Sequence, residues 1–99
     1  MKIFGSRKPA GPPQLVTSGR FEIERDGLIA YLEYKLAGNI LELSHTEVPQ
    51  ALRGKGLSAA LAHTGLEYAR ENHLKVDVVC PQVAKYMQSR PEYSDLLLS

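Results

Sequence analysis

The sequence predicts a small α/β domain: a mostly antiparallel central sheet with two helices packed on it. Three observations point there. Apolar and polar residues alternate from Phe21 to about Val48, interrupted by Asp26-Gly27 and Gly38-Asn39, the period of strands joined by tight turns. After Pro49 the polar residues move to three- and four-residue spacing, the period of a helix with one solvated stripe. A short apolar run, Leu74 to Cys80, then stops at Pro81, as a buried strand leading into a second helix would.

The first 18 residues hold three prolines, two glycines and three basic residues among scattered apolar ones. Lacking a period that buries one face, they read as a flexible arm, which leaves 19–99 as a single domain. Phe21 and Ile23 then alternate with Glu22 and Glu24, and Asp26-Gly27 is a pair favoured in two-residue hairpin turns. Leu28 to Leu36 sets Ala30, Leu32, Tyr34 and Leu36 on one face and Ile29, Tyr31, Glu33 and Lys35 on the other. A third strand covers Ile40 to about Val48. From Gly56 to Glu71, His63, Glu67, Arg70 and Glu71 form a polar stripe while Leu57, Ala60, Leu61, Leu66, Tyr68 and Ala69 surround the rest, as suits a helix lying on a sheet. Pro81 falls at the first position of the last helix, where a missing N–H costs nothing, and that helix runs to about Ser89.

With 99 residues the chain has the length of one domain, domains usually running to about 100–150 residues. Its 43% hydrophobic and 23% charged residues are ordinary for a globular chain and exclude a disordered or fibrous reading of the whole. Twelve basic against eleven acidic residues leave a formal charge of +1, too little for a global field drawing in nucleic acid or an anionic membrane. No apolar run approaches the roughly 18 residues of a spanning helix, so a cytoplasmic protein with neither a membrane nor a nucleic-acid partner is expected. Cys80 is the only cysteine, which rules out an internal disulfide and an all-cysteine metal site, and no other ligand spacing suggests a metal.

The segment best able to carry chemistry is Val48 to Ser58, V-P-Q-A-L-R-G-K-G-L-S, where a strand enters a basic, glycine-interrupted loop that opens a helix. Gly54 and Gly56 let the backbone approach a ligand closely. Free N–H groups at the helix start carry roughly half a positive charge. Arg53 and Lys55 add cationic side chains, so a pyrophosphate would meet donors of both kinds. The plainer alternative is a helix start with solvated basic residues. Neither a Walker loop nor a dinucleotide-binding glycine fingerprint is present, since Gly56 is followed by Leu57-Ser58-Ala59.

On these residues the chain resembles the GNAT superfamily of N-acetyltransferases. Arg53-Gly54-Lys55-Gly56-Leu57-Ser58, after Val48-Pro49 at a strand-to-helix junction, is similar to that superfamily's acetyl-CoA pyrophosphate loop, Gln/Arg-x-x-Gly-x-Gly/Ala. Arg53 and Gly56 match it, and Ser58 stands where Gly or Ala is preferred. From Phe21 to Tyr93 the chain resembles the short, single-domain members, through H-T-E-V-P at 45–49, C-P-x-V-A-K-Y at 80–86 and R-P-E-Y at 90–93.

The resemblance implies a minimal GNAT-like fold whose strands Ile40 to Val48 and Leu74 to Cys80 diverge to leave a slot for a pantetheine arm. It implies acetyl-CoA as cofactor, held by Val48, Arg53, Gly54, Lys55, Gly56, Leu57 and Ser58, with Lys85 reaching a phosphate, although Lys85 equally reads as a solvated lysine. Transfer would be to an amine, on a small molecule or a protein, by a monomer or weak dimer. It places Cys80 beside the acyl group as a nucleophile, and Tyr86 where its hydroxyl protonates the leaving thiolate. Cys80 also sits where a helix N-terminus favours a thiolate, although a cysteine after Val78-Val79 equally reads as a small buried hydrophobe. Tyr86 equally reads as core packing. Direct attack by the amine needs only a base, for which His45 and Glu47, set on one face by their spacing, are the candidates; both also fit a surface strand end. His63 and His73 read as structural or solvated. The alternatives are a non-catalytic CoA-binding or regulatory module, and a nucleic-acid or partner-binding domain using Lys2, Arg7 and Lys8; an aromatic content of 7% without tryptophan opposes a stacking platform.

Overall fold

The computed structural model describes residues 2–4 and 16–98, with side chains from Ser18 onward. Among these residues five strands form one sheet in sequence order: β1 Lys2–Phe4, β2 Val16–Arg25, β3 Leu28–Ala37, β4 Ile40–Glu47 and β5 Lys75–Val78. Neighbours are antiparallel from β1 to β4. β5 is parallel to β4, which demands a long crossover, and α1 (Leu57–Glu71) supplies it. α2 (Pro81–Gln88) and a 3₁₀ turn (Pro91–Leu96) follow. The α/β class and the element order expected of the domain are the ones observed. β1 and the first residues of β2 fall in the segment read as an arm; residues 5–15, and with them Arg7 and Lys8, lie outside the described residues.

Asp26 and Gly27 have φ of 53° and 76°, the left-handed pair that keeps β2 and β3 in twist with one another across a two-residue turn. The period-two pattern then buries Phe21, Ile23, Ala30, Leu32, Leu36, Leu41 and Leu43 on one face. α1 covers that face with Leu61, Leu66 and Ala69, each buried leucine contributing roughly 1.5–3 kcal/mol. Gly65 permits the close approach, since a Cβ there would stand 3.2 Å from Leu32 Cδ2 and 3.4 Å from Leu43 Cδ2. Phe21 fills the space between Tyr34 and Tyr68, its ring centroid 5.1 and 5.5 Å from theirs.

One irregularity decides which side chains reach the site. Tyr34 pairs with Leu43 but Glu33 pairs with His45, so Ser44 is an extra residue in β4, a bulge whose hydroxyl donates to the Glu33 carbonyl at 3.2 Å. Unbroken alternation would carry His45 and Glu47 onto the face of Leu41 and Leu43. The bulge reverses the parity: Thr46 turns inward and is buried, and His45 and Glu47 are exposed on the helix-free face.

Candidate functional site: a slot between parted strands

β4 and β5 pair only from Ile40↔Lys75 to Leu43↔Val78. The Leu43 carbonyl then accepts both the Val79 and the Cys80 N–H, at 3.0 and 2.9 Å, and the chain turns away into α2. Ser44 to Glu47 continue without β5 beside them, as the expected divergence requires. A cavity of about 530 Å³ occupies the gap and extends to the start of α1.

At its outer end the cavity meets an uncapped helix. Gly56, the N-cap of α1, has φ 76° and offers no side chain, no acidic residue stands in the first turn, and the first helical bond is Ala60 N–H to the Gly56 carbonyl at 3.0 Å. The N–H groups of Leu57, Ser58 and Ala59 therefore have no partner within the helix, and all three residues line the cavity. Gly54 is also left-handed, with φ 79°, and a Cβ on either glycine would meet nothing within 4 Å. Arg53 lines the cavity as well, its Nε donating to the Val48 carbonyl at 3.2 Å. Backbone donors, a helix terminus and a cationic side chain line one cavity, as an anion site needs.

The inner end is built from a buried row. Thr46, 5% exposed, places its Oγ1 3.1 Å from the Sγ of Cys80, which is fully buried, and that thiol donates to Gln82 Oε1 at 3.1 Å. Thr46 and Gln82 line the cavity and Cys80 lies behind them. The thiol expected at the acyl end is thus next to the slot but covered.

Of the other residues marked in the sequence, Glu47, Val48, Gly54, Gly56, Leu57 and Ser58 line the cavity, whereas Lys55, Lys85, His45 and Tyr86 do not. Lys55 and Lys85 are exposed nearby on the loop and on α2. His45 and Glu47 do come together, Nε2 to Oε1 at 3.3 Å, with the Tyr31 ring 6.4 Å from the imidazole. Tyr86 packs toward Tyr93 at 6.3 Å, with the Arg90 guanidinium 5.4 Å from its ring centroid. Sequence reasoning missed Thr46 and Gln82. Thr46 had no signal without the bulge; Gln82, two residues after the cysteine at a helix start, was within reach of the spacing argument.

A second polar cluster lies away from the slot. Tyr93 donates to Glu67 Oε2 at 2.6 Å and its oxygen lies 3.1 Å from His63 Nδ1, while Arg70 grips Asp95 through two nitrogens at 3.1 and 3.3 Å. Burial first, then the Glu67 carboxylate, pushes the Tyr93 hydroxyl well above the usual tyrosine range. The hydrogen bond and charge of Arg70 hold the Asp95 carboxyl below its ordinary value. The stripe His63, Glu67 and Arg70 is therefore a dock for the C-terminal turn, which makes His63 structural. Among the described residues no cluster of His, Cys, Asp and Glu could hold a metal ion, and no helix is long and apolar enough to cross a membrane.

Comparison with known proteins agrees with this geometry. A family model described as GCN5-related N-acetyl-transferase matches residues 20–96. Protein NATD1 of Gallus gallus and of Homo sapiens are each 40% identical over 63 residues, 63% of this chain and 57% and 56% of theirs. The match thus spans a little over half the length of those relatives. An NMR structure of a GCN5-like N-acetyltransferase candidate from Staphylococcus aureus superposes with a TM-score of 0.64 at 27% identity, over 88% of this chain and 90% of that one.

Proposed function

Because the chain belongs to the GCN5-related N-acetyltransferase family, we propose that it binds acetyl-CoA in the slot between β4 and β5 and passes the acetyl group to an amine. One observation carries this reading: the gap left where β5 turns away from β4 runs directly to the uncapped start of α1 and Arg53. A ligand that is anionic at one end and amide-rich along its arm fits both parts. The pyrophosphate takes the N–H groups of Leu57, Ser58 and Ala59 with Arg53, and the arm lies against the end of β4 that β5 leaves unpaired, of which Thr46 and Glu47 line the cavity.

The thioester then lies near Thr46 and Gln82. An amine arriving from the helix-free face attacks its carbonyl carbon; the new C–N bond forms, the C–S bond breaks, and CoA leaves as a thiolate that water reprotonates. The amine's proton passes to the His45–Glu47 pair on that face. A route through Cys80 requires Gln82 to swing aside first, since the thiol is covered. Neither route as drawn calls on Tyr86, whose ring packs toward Tyr93.

The test is calorimetric titration with acetyl-CoA beside intact mass measurement, on wild type and Cys80→Ala, followed by a panel of amines. Binding without a mass gain, with transfer kept in the variant, supports direct attack. A gain of one acetyl group that the variant loses makes Cys80 the carrier. Binding with no amine acetylated leaves a CoA-binding module, and absence of binding overturns the reading.

A further inference from the structure

Thr46, Cys80 and Gln82 form a hydrogen-bonded row whose direction follows from counting protons. The thiol has one hydrogen and gives it to Gln82 Oε1, so the sulfur is left to accept from the Thr46 hydroxyl. With its oxygen held against a fully buried thiol, the planar Gln82 carboxamide must turn Nε2 the other way, toward the cavity that Gln82 lines. Neither hydrogen of that nitrogen has a partner among the described residues. An exposed glutamine would ordinarily sample both faces of its amide; a thiol whose acceptor side is taken by the Thr46 hydroxyl offers it only a hydrogen, which selects the oxygen face. The slot's inner end thus presents an oriented, unused donor.

From this we propose that Gln82 Nε2 donates to the carbonyl oxygen of the bound acyl thioester, and that Cys80, supported by Thr46, is the positioning residue that sets the amide's orientation. The proposal rests on the acetyl-CoA reading above and deepens it. A donor at that oxygen polarises the carbonyl and stabilises the charge it gains as the amine adds. It also separates substrate from product, because free CoA has no oxygen at that position. Gln82 therefore favours acyl-CoA over CoA, and Cys80 acts through the S–H it keeps, without being acylated.

Two infrared measurements test this. In the unliganded protein, whose one thiol makes the S–H band unambiguous, Gln82→Leu should raise the S–H frequency by removing the acceptor, measured in a Thr46→Val background so that the Thr46 oxygen cannot take the hydrogen instead. With acetyl-CoA labelled with carbon-13 at the carbonyl, the bound C=O band should lie lower than in solution for the wild type and return to the solution value in Gln82→Leu. The preference for acetyl-CoA over CoA should fall roughly fivefold in that variant, the worth of one net hydrogen bond. Cys80→Ser should retain the shifted carbonyl band, and Cys80→Ala should lose part of it while binding CoA as the wild type does. Gln82 is exposed, so Gln82→Leu leaves the core intact. An S–H band indifferent to Gln82→Leu, or an unchanged carbonyl band in Gln82→Leu with acetyl-CoA bound, overturns the assignment and leaves the acetyl-CoA reading standing. An acetylated Cys80 overturns the positioning role. A wild type that binds no acetyl-CoA overturns the reading itself, and the assignment with it.

Discussion

Gly56 and Arg53 separate the two things a residue at the anion site can do. Gly56 sits at φ 76° with open space where a Cβ would be, so Gly56→Ala meets no clash and suffers only the backbone penalty, about 1–2 kcal/mol of stability. Urea unfolding should show that loss, and calorimetry should show weaker acetyl-CoA binding because the loop that aims the N–H groups relaxes. Arg53 is exposed on the loop, so Arg53→Gln should leave stability within about 0.5 kcal/mol of wild type. Its effect should be on the ligand alone, with lower affinity and a shallower dependence on salt. An Arg53→Gln variant that binds with wild-type affinity and salt dependence would remove Arg53 from the site. Both residues were legible in the sequence because glycine and charge declare themselves by type. Thr46 was not, because only the bulge turns an ordinary threonine inward onto Cys80, and Gln82 could be reached only through its spacing from that cysteine.

The strands and helices were legible for a different reason: their periods are set by burial, and Phe21 to Leu43 and Leu57 to Ala69 bury the residues that the periods select. A bulge leaves no such trace, since adding one residue to β4 changes parity without changing composition. Its consequence can be measured. Ser44→Ala removes only the bond to the Glu33 carbonyl and should cost about 1 kcal/mol or less. Deleting Ser44 removes the extra residue and keeps Thr46 on the face of Leu41 and Leu43 with His45 and Glu47 opposite, so the deletion variant should still unfold cooperatively and bind acetyl-CoA. A deletion variant that folds but no longer binds would show that the bulge itself, and not the facing of Thr46 and Glu47 alone, builds the site. The C-terminal turn follows the same logic on α1. Its anchor, Tyr93, was expected only as part of a motif, yet it is the residue through which Glu67 and His63 hold the chain end. Tyr93→Phe should lower stability by about 1 kcal/mol, less than a fully buried pair would, because Glu67 can rehydrate.

At the scale of the whole molecule these contacts set the limits within which the fold survives, and a ligand moves them. The Asp95 carboxyl is held low in the folded state, so its contribution is present above its unfolded value and fades as pH falls through the folded one. Tyr93 works in the opposite sense: its hydroxyl is held high, so its contribution is complete below the ordinary tyrosine range, about pH 10, and is lost as pH rises beyond it. Asp95→Asn should therefore flatten the acid limb of stability and Tyr93→Phe the alkaline limb, each leaving the other unchanged. Ligand binding acts between those limits. The slot's walls are contributed by β4, the loop after it, α1 and α2, elements far apart in the chain. A molecule spanning them holds the folded state and has no counterpart site in the unfolded one. At about 100 times its dissociation constant such a ligand adds about 2.7 kcal/mol, and for a domain of this length that corresponds to a rise of roughly 10–20 °C in Tm. Acetyl-CoA should produce that rise near neutral pH in the wild type, and a smaller one in Arg53→Gln at the same concentration. Equal rises in the two would place the ligand somewhere other than the slot, because only there does its charged end meet Arg53 and the uncapped start of α1 together.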